Sequence, residues 1–140
     1  MRKIIAILLS VLVFGSLLWG CGDKEETTNL NINQNDNSMI SQSEKDSYKE
    51  EVKKVLNGLT LNDIEILTQN KTKKPIVMVQ VIFDGTKGNI NKSEVEEFIK
   101  TIKEKIETIS NLYDITILDK NTQMIATTGY ENEGKIYFFD

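Results

Sequence analysis

The sequence contains no histidine and only one cysteine, one proline and one tryptophan among its 140 residues. Without histidine, the chain cannot form a Ser-His-Asp or Cys-His catalytic site, or a zinc, copper or iron site with histidine ligands. The single cysteine, Cys21, excludes an internal disulfide bond. The composition therefore favours a binding protein, with an enzyme that uses carboxylates alone as an alternative.

Basic residues are outnumbered: 17 Lys and Arg are set against 21 Asp and Glu, for a net charge of −4. A chain without residues 1–20 would also lack Arg2 and Lys3, and its net charge would be near −6. Anionic lipid repels such a chain, and phosphate contacts need clustered Lys and Arg. We therefore expect no nucleic-acid partner, and contact with a membrane through lipid rather than through a basic patch.

One long apolar run is present, from Ile4 to Leu18, directly after the basic pair Arg2 and Lys3. As a helix it would be about 22 Å long, whereas a bilayer core of about 30 Å normally asks for about 20 residues. The run is short for a permanent span and typical of the apolar region of a signal peptide. The alternative is an uncleaved N-terminal membrane helix with an incidental cysteine.

The segment Leu18-Trp19-Gly20-Cys21 resembles the lipobox of bacterial lipoproteins, in which a branched apolar residue, a tolerated residue and a small residue precede a cysteine. Trp19 departs from this pattern, because that position usually holds a small or mid-sized residue. The resemblance implies that a diacylglyceryl group is attached to the Cys21 thiol and that a signal peptidase cuts between Gly20 and Cys21. It implies a protein anchored by lipid to the extracytoplasmic face of the cell membrane, because two or three acyl chains give stable anchoring.

The composition divides the chain into three parts. Residues 1–20 are the predicted signal peptide, residues 21–42 are the lipidated cysteine and a tether, and residues 43–140 are one folded domain. The tether carries asparagine at alternate positions and has little to bury, so we expect it to be disordered. We interpret it as a spacer that lifts the domain off the membrane; the alternative is a segment that folds on a partner.

Two amphipathic helices are predicted in the domain. The first begins near Ser43 or Ser47, and Ser47 starts a capping-box pattern. The second runs from about residue 92 to 110, with Asn91 or Ser93 as its cap.

Alternation of apolar and polar residues predicts strands at 61–68, 76–83, 113–118, 123–127 and 135–139. The stretch at 76–83 is apolar on both faces, which indicates an interior strand. Together these elements predict an α+β two-layer sandwich, with two helices on one face of an antiparallel sheet of four to five strands.

Two segments of the domain are similar to each other. Residues 61–67 and 112–118 are identical at five of seven positions, at an offset of 51. Because a predicted helix precedes each copy and a strand follows it, the match favours an α-β-β tandem repeat. Chance similarity in a chain rich in Ile and Asp explains the match equally well.

A two-layer sandwich leaves one sheet face without helices, and the stripe from Ile76 to Ile82 is the candidate for that face. An exposed apolar face indicates a partner or a dimer, and the last strand could also bind a partner by strand addition. We therefore expect a non-catalytic module that binds an envelope or surface protein, with Met78, Gln80, Tyr137 and Phe139 as candidate contacts. The alternative is that the tail, a loop or the twist of the sheet covers this face.

The loop from Asp84 to Asn89 and the helix after it are rich in oxygen ligands, a composition that calcium sites share. An EF-hand loop begun at Asp84 would need glycine at Asn89 and an acid at Val95, and the chain has neither. A turn followed by a capped helix explains the segment. We predict no catalytic residue, no metal and no cofactor, with a small solute or cation sensor at this loop as the alternative function.

Paired acids are the remaining candidates for chemistry, for example Asp114 with Asp119 or Glu131 with Glu133. A glycosidase needs two acids across a cleft, with separated pKa values. Acids at turns and strand edges are usually solvated charges, so an enzyme that relies on carboxylates is the less favoured alternative.

Overall fold

The computed structural model describes residues 39–140. The predicted signal peptide, the lipobox with Gly20 and Cys21, and the tether up to residue 38 lie outside the described residues. The elements in chain order are α1 (Gln42–Val55), β1 (Thr60–Thr68), β2 (Pro75–Ile82), α2 (Lys92–Ile106), β3 (Tyr113–Leu118), β4 (Met124–Gly129) and β5 (Tyr137–Phe138), with a 3-10 turn at Tyr130–Asn132 between the last two.

Helix α1 begins earlier than either predicted start, Ser43 or Ser47. Its N-cap is Ser41, which forms a capping box with Glu44. The Ser41 hydroxyl accepts a hydrogen bond from the Glu44 backbone N–H at 3.3 Å, and the Glu44 carboxylate accepts one from the Ser41 N–H at 2.9 Å. Helix α2 has the first of its two predicted caps, since the Asn91 side chain accepts from a backbone N–H in the first turn.

The five strands form one sheet in the order β1-β2-β3-β4-β5. Three of the four pairs are antiparallel. The pair β2–β3 is parallel, so the sheet is mixed rather than antiparallel throughout. The reason is the connection between them. Helix α2 crosses over the sheet and returns the chain to the end of the sheet at which β2 begins, so β2, α2 and β3 form a βαβ unit.

Both helices pack on one face of the sheet, which confirms the predicted α+β two-layer sandwich. Strands β1, β2 and β3 turn alternate side chains towards the helices, as their period of two requires. The core between the layers is aliphatic and includes Val52, Leu56, Ile64, Ile66, Val77, Val79, Val81, Val95, Ile99, Ile102, Ile106, Ile115 and Ile117. In residues 39–140, neither helix is long and apolar enough to cross a bilayer.

The two similar segments occupy β1 and β3, and the order helix–strand–strand occurs twice, as predicted. The two halves nevertheless differ in hand. Strand β1 is antiparallel to β2 while β3 is parallel to β2, so β1 and β3 run in opposite directions. Each half keeps the same strand order and the same helix face, so only a reflection would superpose them. The match is therefore a similarity of local sequence and not a duplicated three-dimensional unit.

A buried serine joins the end of the α2 segment to the start of two strands. The Ser110 hydroxyl donates to the Pro75 carbonyl oxygen at 2.7 Å and accepts from the Leu112 N–H at 3.1 Å. Ser110 is 7% exposed. This clasp holds the first residues of β2 and β3 side by side.

A buried aspartate joins the loop after β2 to the turn after β3. One Asp119 oxygen accepts from the Asn121 and Gln123 N–H groups at 2.8 and 2.9 Å, and the other accepts from the Lys87 N–H at 2.9 Å. These bonds, the one from Lys87 foremost, lower the pKa of Asp119. The 84–89 loop is therefore fixed by a carboxylate from another part of the chain.

Candidate functional site

One face of the sheet carries neither helix. It is set by the register of the strands: Val77, Val79 and Val81 point to the helices, so the residues between them point to the other side. We name the following residues the open face: Asp63, Glu65, Leu67, Ile76, Met78, Gln80, Asp114, Thr116, Thr127 and Tyr137.

Two cross-strand rows make up most of the open face. In one row Met78 lies between Glu65 of β1 and Asp114 of β3, and Gly129 follows on β4. In the other row Gln80 lies between Asp63 and Thr116, and the row continues through Thr127 to Tyr137. Acidic residues therefore flank Met78 on both sides and Gln80 on the β1 side.

A cleft of about 250 Å³ opens at one end of this face. Apolar side chains of β1 and β2 form one wall, and the turn after β4 forms the other. Gly129 lies between the walls, and a Cβ there would lie 3.3 Å from the Tyr113 carbonyl oxygen and 3.4 Å from an Asp114 carboxylate oxygen. The cleft is lined by Leu67, Ile76, Met78, Asp114, Gly129, Tyr130, Glu131 and Asn132.

The polar wall of the cleft is negatively charged. Burial raises the pKa of Asp114, and the neighbouring charge of Glu131 raises it further. Burial also raises the pKa of Tyr130, with added contributions from Glu131 and Asp114. The Tyr130 hydroxyl donates to a Glu131 carboxylate oxygen at 3.2 Å. A group that binds here meets two carboxylates and a protonated phenol.

Three of the four predicted contact residues lie on the open face. Met78 and Gln80 are half-buried, and the Gln80 amide oxygen accepts from the Asn62 side chain at 2.7 Å. Tyr137 is 50% exposed. Phe139 lies elsewhere: it lines a second cleft together with Lys87, Gly88, Ile90, Lys92, Phe138 and Asp140.

Phe139 follows the last residue of β5, Phe138, and its N–H donates to the Ile125 carbonyl oxygen of β4 at 2.9 Å, while its side chain lines the second cleft. The structure thus places Phe139 near the start of α2 rather than beside Tyr137. The open face is assembled without it.

The sequence pattern did not indicate the pairing of Asp114 with Glu131. It suggested Asp114 with Asp119 and Glu131 with Glu133, which are close along the chain. Asp119 instead accepts backbone hydrogen bonds in its own turn. Asp114 and Glu131 approach because β4 pairs with β3 so that Gly129 lies opposite Asp114, which brings the following turn over the carboxylate.

Neither the cleft at the end of the open face nor the 84–89 loop brings together ligands for a metal ion. Within residues 39–140 no three Cys, Asp or Glu side chains lie together in an arrangement that could hold one. The cleft beside the 84–89 loop is lined by Lys87 and Lys92, and the Lys92 ammonium lies 5.1 Å from the centre of the Phe138 ring. The two lysines outnumber the one acid of that cleft, Asp140, which makes the cleft unfavourable for a cation.

Comparison with known proteins gives no information on function. No protein-family model, no curated protein and no solved structure matches this chain.

Proposed function

We propose that the protein is a lipid-anchored extracytoplasmic lipoprotein whose α+β domain is a non-catalytic module that binds an envelope or surface protein through the open face. Support for the anchor comes from the lipobox resemblance at Leu18-Trp19-Gly20-Cys21. Support for binding comes from one observation: the sheet face that carries neither α1 nor α2 holds half-buried Met78 and Gln80 between exposed Leu67 and Tyr137.

The energetics of such a face favour a partner. Leu67 and Tyr137 are 38% and 50% exposed, and each Å² of apolar surface removed from water contributes about 25 cal/mol. Tyrosine and methionine are enriched where protein interfaces form. A partner that covers the two cross-strand rows would gain this energy and would leave the core between sheet and helices unchanged.

The shape of the cleft favours a protein over a small solute. Its volume of about 250 Å³ is below the roughly 300–1,000 Å³ of typical small-molecule sites. One wall of the cleft is polar, and the remaining acids of the open face, Asp63 and Glu65, lie outside it along the two cross-strand rows. A partner side chain that enters the cleft, with the rest of the partner lying on the face, matches this arrangement.

Site-specific crosslinking in living cells tests the binding surface. A photoreactive benzophenone residue replaces Tyr137 in the intact chain, and the same residue replaces Glu104 on the exposed side of α2 as the control. We expect position 137 to crosslink to a partner protein that is absent from the crosslinked products of position 104. The further change Met78→Arg, in the centre of the open face, should abolish them without lowering the melting temperature. Identical products from both positions would refute the proposed surface.

The anchor is tested separately by Cys21→Ser. The resemblance predicts a membrane-bound protein whose mass equals residues 21–140 plus acyl chains, and the serine variant should lose both the acyl mass and the membrane association. A membrane-bound species that retains residues 1–20 and a free Cys21 thiol would contradict lipidation.

A further inference from the structure

The charges of the open face have one sign. Asp63, Glu65 and Asp114 belong to the two cross-strand rows, and Glu131 borders the cleft at the end of the face. No lysine occurs among the open-face residues or among those that line the cleft. Elsewhere on the described domain, acids and lysines are mixed, as in the Lys53–Glu50 pair on α1. The face is therefore distinguished from the rest of the domain surface by both its apolar content and its charge.

Acidic and apolar side chains are interleaved on this face. Met78 has Glu65 on one side and Asp114 on the other, while Leu67 and Ile76 pair beside them at the end of the sheet. An occupant that complements this pattern places apolar side chains over β2 and cationic side chains over the flanking strands.

Charge argues against an occupant from this chain itself. In a face-to-face dimer the acidic rows of two copies would oppose each other, and like charges at an interface cost binding energy. The segment at residues 22–38 is also acidic, because it has one lysine and four acids: Asp23, Glu25, Glu26 and Asp36. Both would bring negative charge onto a negative face.

Charge and geometry also argue against the other simple occupants. An anionic lipid surface is repelled by the four carboxylates. A single metal ion needs ligands that converge on one point, and within the described part of the chain no group of three acids does so. Carboxylates that lie apart along two rows can instead each pair with a different lysine or arginine of one protein segment.

We propose that the open face docks a basic segment of another protein, in which lysine or arginine side chains alternate with apolar ones. This inference rests on the proposed protein-binding function and specifies the chemistry of the partner. The cations pair with Asp63, Glu65, Asp114 and Glu131, and one apolar side chain enters the cleft beside Met78.

Fluorescence anisotropy with labelled peptides tests the chemistry. The probes are three eight-residue peptides, (Lys-Val)₄, (Ser-Val)₄ and (Glu-Val)₄, titrated with the full chain in non-ionic detergent. We expect (Lys-Val)₄ to bind most tightly. Its affinity should fall as added salt shortens the electrostatic screening length, which is about 10 Å at 0.1 M and about 3 Å at 1 M. Equal binding of the three peptides would overturn the proposal.

Matched variants test the location. The triple variant Glu65→Gln, Asp114→Asn, Glu131→Gln removes three charges from the open face and keeps side-chain shape. The control Glu96→Gln, Glu97→Gln, Glu104→Gln removes the same charge from the exposed side of α2. We expect the first variant to weaken (Lys-Val)₄ binding roughly tenfold, since each exposed pair contributes a few tenths of a kcal/mol or more. Equal weakening in both variants would mean that only net charge matters, and would refute docking at this face.

Crosslinking from position 137 separates the two proposals. If crosslinks persist in the triple variant and (Lys-Val)₄ shows no preference, the basic occupant is refuted and the protein-binding function stands. If the chain with benzophenone at position 137 and no other change forms no crosslinks in cells, the protein-binding function fails, whatever the peptides show.

Discussion

Replacing Thr128 by valine should make the domain more stable. Thr128 lies on β4 opposite Ile115 of the core, is 1% exposed, and its hydroxyl has no hydrogen-bond partner among the described residues. A buried hydroxyl without a partner costs about 1–3 kcal/mol. Valine has the same branched shape and suits a strand equally well. We therefore expect Thr128→Val to raise the free energy of unfolding by about 1–2 kcal/mol.

The adjacent residue supplies a control of opposite sign. The Thr127 hydroxyl lies on the open face and donates to the Ile115 carbonyl oxygen at 3.2 Å. Thr127→Val removes this bond and should lower stability by about 0.5–1 kcal/mol. Thermal unfolding measures both, since 1 kcal/mol shifts the melting temperature by about 4–8 °C in a domain of this size. A Thr128→Val variant that is less stable than the wild type would refute the reasoning, because it would mean that the hydroxyl has a partner.

Two further variants test the clasps that hold the loops. Ser110→Ala removes a buried hydroxyl that bridges Pro75 and Leu112, so urea unfolding should show a loss of about 1–3 kcal/mol, and a loss below about 0.5 kcal/mol would contradict the clasp. The pKa of Asp119 is lowered in the folded state, so its carboxylate stabilises the fold above the unfolded pKa of about 3.9 and loses this effect as pH falls through the folded pKa. Asp119→Asn should therefore be less stable than the wild type at neutral pH, and the difference should shrink in acid melts below about pH 4; a difference independent of pH would contradict the assigned role of the charge.

Local sequence patterns predicted the position of a helix or strand well where residues close together in sequence determine it. The alternation of Ile115 and Ile117 with polar neighbours predicted β3 at 113–118, the bounds that the structure has. The start of α2 was predicted at Asn91 or Ser93, because few side chains can satisfy the free N–H groups of a first turn, and the structure selects Asn91.

The start of α1 could not be decided locally, because Ser47, which was predicted, and Ser41, which was not, both begin a capping-box pattern. Ser47 and Ser41 each have glutamate three residues on. The structure selects Ser41, next to Ile40, whose N–H donates to the Thr68 hydroxyl of β1 at 3.1 Å. A contact between residues far apart in sequence thus decides between two equal local signals.

The candidate site shows the same limit. The apolar stripe of β2 predicted where Met78 and Gln80 lie, since strand periodicity depends only on neighbours in sequence. The approach of Asp114 to Glu131 depends on the register of β3 with β4, and a shift of one residue would turn each side chain to the other face. Register is set by packing across the sheet, so the polar wall of the cleft was not visible in the sequence.

The strand order has a consequence for how the chain folds. Within residues 39–140, each strand pairs only with the strands that precede and follow it in sequence, and the longest connection between paired strands is the crossover through α2. Proteins whose contacts are local in sequence fold faster than those that join distant segments. A chain that emerges N-terminus first, from a ribosome or across a membrane, therefore offers every new strand a partner that has already emerged. No edge of the growing sheet has to wait for the C-terminal residues.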